Sequence, residues 1–435
     1  MIRAHRLMIA LACVLAANYA IAENILFTNA TVHTMGPSGT LENASVLVRD
    51  GRFAAVGNSI DDDIDAEVVD ATGKIITPGF FSAMGQLGLT EVSAVDGSVD
   101  FQQAGQHYTA SFTVADAYNH RSVLVATNRA GGITRALTAP AAGYGDGVDA
   151  SAVFSGLAAV VQLGDQPGFI AAPNAAMVVN LGESGGELAG GSRAIALMTL
   201  RTALNDAIDY RRNKDAFERG QRRPYSISRE DLETLQPVVG GRVPLLVSVN
   251  RATDIETLVQ LGRDYNLELI VYGGAEAWMV AELLARHNVS VILDAKGNLP
   301  MSFDALNARL ESAAILVAAG VEISFGGDWQ SETYAARNIS QSAGNAVANG
   351  LAWIDALAAI TIAPARMYGL DDQVGSIEAG KEADMIVWSA DPLELSSNPD
   401  EVLIRGQRVS LENRQTLLRD RYLQTDSEKP PAFRN

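Results

Sequence analysis

Five histidines and one cysteine are all the imidazole and thiol in this 435-residue chain. His5 and Cys13 fall in the first 22 residues, which leaves His33, His107, His120 and His287 for chemistry elsewhere. A catalytic zinc is ordinarily held by three protein ligands, mostly imidazole. Gly182-Glu183-Ser184-Gly185-Gly186 has the letters of a nucleophile elbow and follows a strand-like run. An elbow also needs a helix directly after it and a histidine partner, whereas Glu187-Leu188-Ala189-Gly190-Gly191 continues as a glycine-rich loop. Gly143-Tyr144-Gly145-Asp146-Gly147 has the glycine density of a phosphate loop but lacks the Gly-Lys-Ser/Thr ending, and reads as a lid. The basic residues between Arg211 and Arg223 alternate with Asp215 and Glu218, the pattern of a solvated helix face.

The elements that would carry such groups follow from composition and patterning. With 48% hydrophobic and 19% charged residues, the chain can bury a full core. Its 51 acidic against 33 basic residues give a formal charge of −18, which argues against nucleic-acid or anionic-membrane partners. The N-terminus has the form of a cleavable leader: Arg3 and Arg6, an apolar run from Leu7 to Ala17, then Ala20-Ile21-Ala22 as the cleavage site. We therefore expect an exported protein, periplasmic or secreted, cut after Ala22, without thiols, disulfides or a stable membrane anchor. Short β-rich runs fill residues 24–78, with Asp50-Gly51 as a hairpin turn, and similar runs return at Ala383–Trp388 and Glu401–Gln407. Together these predict one small β-sandwich domain built from residues 23–78 and 366–412, with residues 413–435 as a tail.

Between them, residues 79–365 alternate apolar runs with helical patterns. The strand candidates are Phe80–Leu87, Ile133–Leu137, Ala158–Leu163, Ala176–Leu181, Leu245–Val249, Leu267–Tyr272, Val289–Leu293 and Val321–Phe325. Amphipathic stretches such as Thr253–Asp264, Glu276–His287, Phe303–Ala319 and Ile354–Ala363 follow several of them. Continuous apolar runs fit strands buried on both faces, and eight of them over this length fit an α/β (β/α)8 barrel, with a doubly wound sheet as the alternative.

Ile75-Ile76-Thr77-Pro78-Gly79-Phe80-Phe81-Ser82-Ala83 with Leu87-Gly88-Leu89, Gly326-Gly327-Asp328, Ala359–Ala365 and Val374–Asp384 resemble, in order and spacing, the opening and closing segments of the amidohydrolase superfamily. The likeness is strongest to its imidazolonepropionase-like branch, in an exported form. The resemblance implies hydrolysis of carbon–nitrogen bonds in cyclic amides or dipeptide-like substrates, with one or two divalent metals at the C-terminal ends of the barrel strands.

At the positions where the family carries its ligands, this sequence carries other residues. The His-x-His of the first barrel strand is Met84-Gly85-Gln86; the fourth strand ends in Asn180, with Glu183 beyond it; the fifth-strand His is Ser248 and the sixth-strand His is Gly273. Thioether and amide groups bind zinc poorly beside imidazole. The eighth-strand acid remains as Asp328, which the resemblance makes the acid/base that activates water and protonates the leaving nitrogen. Gln86, Asn180, Ser248, Asn250 and Trp329 would line the pocket. A divalent metal is implied by the resemblance alone; an oxygen-only site would have to draw on Asp328, Glu183 and Glu91. Three readings stand open: a hydrolase with an altered or degenerate metal site, a pseudoenzyme serving as a binding or oligomer-partner module, and, for completeness, a serine-type hydrolase. The expected partners are a small-molecule substrate and further subunits, like or unlike.

Overall fold

The computed structural model describes residues 24–58, 60, 65–102, 109–142, 153–297, 300, 302–326, 335–423 and 430. The leader, His107, the glycine-rich 143–147 segment, Asp328 and Trp329 lie outside the described residues.

In the first strand, β1 (Ile25–His33), Ile25 and Phe27 are buried, then Ala30 and Val32. The change of parity is taken up at Asn29, whose φ of 61° makes a bulge within the strand. β1 pairs with β2 (Thr40–Arg49), and β2 with β3 (Arg52–Gly57) through a turn in which Asp50 and Gly51 both have positive φ. β4 (Glu67–Asp70) and β5 (Ile75–Pro78) run parallel to β1. From the other end of the chain, β14 (Met385–Trp388) pairs antiparallel with β5, and β15 (Pro399–Ile404) and β16 (Gln407–Arg408) extend the same sheet. The two ends of the chain thus form one eight-stranded sheet.

The second sheet is a nearly closed barrel: β6 (Phe80–Ser82), β7 (Ile133–Thr138), β8 (Phe154–Gln162), β9 (Ile170–Asn180), β10 (Leu245–Val249), β11 (Leu269–Gly273), β12 (Ser290–Leu293) and β13 (Ile323–Phe325). Each of the eight apolar runs supplies a strand. Along β10, Leu245, Val247 and Val249 pack outward and Leu246 faces the lumen, and β11 and β12 alternate likewise. Between β6 and β13 the described residues form no ladder; instead Phe81 N donates to Ile360 O at 2.8 Å and Ser324 Oγ to Ala359 O at 2.6 Å.

One strand departs from the expected all-parallel arrangement. β8 is antiparallel to both β7 and β9. A short turn through Gly164, Pro167 and Gly168 joins it to β9, and a connection too short for a crossover helix can only reverse direction. The outer face of β8 is covered instead by the segment after β6: Leu157 N donates to Phe112 O at 2.7 Å and Val114 N to Leu157 O at 3.4 Å. That segment is anchored by the buried Asp231 carboxylate, which accepts from Thr109 N, Thr109 Oγ1, Ser111 N and Ser111 Oγ.

Helices cover much of the rest of the barrel, with Ala252–Tyr265 close to its expected span. Glu276–His287 divides into a 3₁₀ turn over Ala277–Val280 and a helix over Ala281–Arg286, and only Ser312–Ala318 of Phe303–Ala319 is helical. The polar Tyr210–Glu230 stretch begins inside a long helix, Arg193–Glu218, where Arg222 pairs with Asp209 and Arg223 with Asp206.

Candidate functional site at the barrel mouth

The parallel strands end at one mouth. Lumen-facing positions just below it are apolar: Phe81, Ala83, Met84, Leu137, Val160, Val178, Leu246, Ile270 and Ile292 form one buried cluster, with Tyr272 packed against it. The Tyr368 hydroxyl donates to Ala83 O at 2.6 Å, and its burial pushes the phenol pKa far up, so it serves as a neutral donor.

Above this plug lie neutral polar groups. Gln86 is buried beyond β6, Asn180 ends β9 and donates from Nδ2 to Ser155 Oγ at 2.8 Å, and Ser248 is half-buried near the end of β10. Asn250 follows β10, and its Oδ1 accepts from Ala275 N at 3.3 Å. The structure therefore places Gln86, Asn180, Ser248 and Asn250 at strand ends on this face, the positions from which a barrel addresses a ligand.

Beside them is an ion cluster that sequence reasoning missed. Arg193, at the start of its helix, reaches Asp254 Oδ2 from Nε at 3.0 Å, with Glu183 and Asp304 carboxylate oxygens 3.8 and 3.9 Å from its Nη2. Asp304 is buried, accepting from Glu183 N at 3.0 Å and Ser302 Oγ at 2.7 Å. These residues come from separate stretches of sequence, and only their contacts reveal the cluster. Glu183 lies in a short helix, Gly182–Leu188, where a loop was expected. The helix restores one requirement of a nucleophile elbow at Ser184, but His287 lines a cleft at the opposite end of the strands with Pro244, Asn266 and Ser290. No Ser–His pair forms there.

The remaining acidic candidates are engaged elsewhere. Glu91 accepts from Asn119 Nδ2 at 2.9 Å and Ser122 Oγ at 3.0 Å, and Glu183 faces Arg193; Asp328, the third member of the oxygen-only set, lies outside the described residues. Among the described residues, no three His, Cys, Asp or Glu side chains gather where they could hold a metal ion. His33 sits in β1, and His120 stacks on Phe169 with ring centroids 3.9 Å apart, on the flank of the barrel. The donors at the family's ligand positions, a thioether, an amide, a hydroxyl and a glycine, do not fit a catalytic zinc.

Residues 251–409 match the Amidohydrolase family. A curated relative, amidohydrolase tasK of Hapsidospora irregularis, is 24% identical over 83% of this chain, and the chain spans only 39% of that protein's length. An amidohydrolase from Thermotoga maritima is similar in structure, with a TM-score of 0.78 and 26% identity, over 89% of this chain and 99% of that one. A zinc-bound adenosine deaminase from Xanthomonas campestris shares the fold at TM-score 0.51 and 17% identity, over 92% and 97% of the two chains. The barrel, the added sheet and these matches together support placing the chain in the amidohydrolase superfamily.

Proposed function

We propose that this protein is a hydrolase of the carbon–nitrogen class with a degenerate metal site, acting on a small amide-like substrate held at the barrel mouth. The observation that supports this reading most is the set Met84, Gln86, Ser248 and Gly273 at strand ends on an otherwise family-like scaffold. In this reading Asp328 takes the proton from an attacking water and returns it to the leaving nitrogen, so atoms and charge balance without any cation. Asn180, Ser248 and Asn250 orient the scissile group. A neutral hydrogen-bonding floor suits an uncharged amide, because buried polar groups discriminate strongly against ligands that leave them unpaired.

A second reading, the pseudoenzyme, is favoured by the apolar cluster that rises to Met84 at the mouth. Elemental analysis and a screen of cyclic amides and dipeptides, run on wild type and Asp328→Asn, distinguish the two. Turnover without bound metal that Asp328→Asn abolishes is the expected result. Stoichiometric zinc, manganese or nickel in the purified protein defeats the degenerate-site reading, and absence of any turnover leaves the pseudoenzyme. We further propose export, on the strength of the leader-like first 22 residues; N-terminal sequencing of the mature protein should begin at Glu23, and an intact Met1 on protein confined to the cytoplasmic fraction would refute it.

A further inference from the structure

We infer that the mouth is packed around two glycines, so that the protein's own side chains fill the space a cation would take and restoring the imidazoles does not restore a metal site. The inference rests on family membership, which fixes where the ligands would stand, and not on any hydrolytic activity.

Gly273 ends β11 with φ of 92°, a conformation that side chains with a Cβ rarely adopt. A Cβ placed there would lie 2.6 Å from Asn250 Oδ1. Asn250 is held in that place from several directions. Its Oδ1 accepts from Ala275 N, its backbone carbonyl accepts from Glu276 N at 3.0 Å, and the buried Glu276 carboxylate in turn accepts from Ala252 N and Asn307 Nδ2. The carboxamide thus stands over the strand end from which an imidazole would have to project.

The second glycine acts on the other side of the lumen. At Gly326, just after β13, a Cβ would lie 3.2–3.3 Å from Ile292 Cγ2, Met84 Cβ and Tyr272 Cε2. The ends of β6, β11, β12 and β13 therefore converge around Gly326, where apolar and aromatic atoms leave little room for a side chain. The two positions act together: Gly273, where the family carries an imidazole, admits Asn250, and Gly326, part of a family-like segment, leaves room for Met84 and Tyr272. Loss of ligands alone would leave a water-filled gap lined by small polar groups, not this packing.

The test is to put the ligands back. The variant M84H/Q86H/S248H/G273H is titrated with zinc chloride by calorimetry, and zinc retained after gel filtration is counted by mass spectrometry. We expect retention no higher than in wild type. One zinc per chain, with an unchanged circular dichroism spectrum, overturns the inference. Because that variant can fail to fold, a stability cycle tests the same contact with smaller changes. Gly273→Ala should lower Tm by roughly 1–4 °C, and adding Asn250→Ala should return part of that loss. Strictly additive losses would show that Asn250 does not obstruct the position. Neither readout depends on turnover, so a failed hydrolase assay and a failed packed-mouth inference remain separable.

Discussion

Arg135 stands in β7 with a buried side chain, and both of its partners come from the other sheet's segment of the chain: Asp384 Oδ2 accepts from Nε at 2.7 Å, and Glu382 accepts from Nη2. Burial by itself would lower the guanidinium pKa, but the two carboxylates outweigh it and push it up. Arg135→Ala strands the buried Asp384 carboxylate, for a loss of about 3–5 kcal/mol in denaturant unfolding; a change no larger than that of a surface Arg→Ala would refute the role. His33 reports pH at the same junction. Burial pushes its imidazole below the ordinary 6.5, against the raising pull of Glu42 and Asp391, and its ring lies 4.7 Å from Trp353. The unfolded chain then takes up the proton first, so this contribution is complete above about pH 6.5 and is lost as pH falls below it. Tm should drop between neutral and mildly acidic buffer, and less steeply in His33→Gln; parallel slopes would exclude the assignment. At this scale the sequence was readable wherever a single residue type carried the chemistry, as at Met84, Gln86, Ser248 and Gly273. It was silent on Asn250 over Gly273 and on Arg193 among three carboxylates, because both are contacts between separated stretches of chain.

Strands were legible for the same physical reason that their directions were not. A run buried on both faces shows neither alternation nor polarity, so Ala158–Leu163 identified a strand but not the antiparallel course of β8. The missing helix before β9 and the Gly164–Gly168 turn were the available signal. Short helices were overestimated because loop segments near the mouth, such as 303–311, carry helical spacing while their side chains serve the Asp304 and Asn307 contacts. The cover over β8 depends on one close approach. Gly156 has φ of 122°, and a Cβ there would come within 2.3 Å of Phe112 O. Gly156→Ala should therefore cost about 2–3 kcal/mol and raise protease sensitivity near residue 112; a variant as stable and protease-resistant as wild type would show that the cover can shift without penalty.

Over the described residues, the ties between barrel and sheet include the Arg135 cluster, the Phe80 and Trp388 rings with centroids 5.3 Å apart, and Arg405 Nη1 donating to Pro167 O at 3.0 Å. The formal charge of −18 is spread over a surface with many local ion pairs, which bears on solubility and not on the choice of fold. The pairing of β5 with β14 has a consequence for the order of synthesis. Thr77 and Trp388 are 311 residues apart, so when the ribosome has finished the first five strands, the flank of β5 has no neighbour until most of the polypeptide has emerged. An open strand flank is a template for any other extended chain. The nascent protein thus carries an open edge while about 310 further residues are made, and a holding chaperone would shield that edge until β14 arrives.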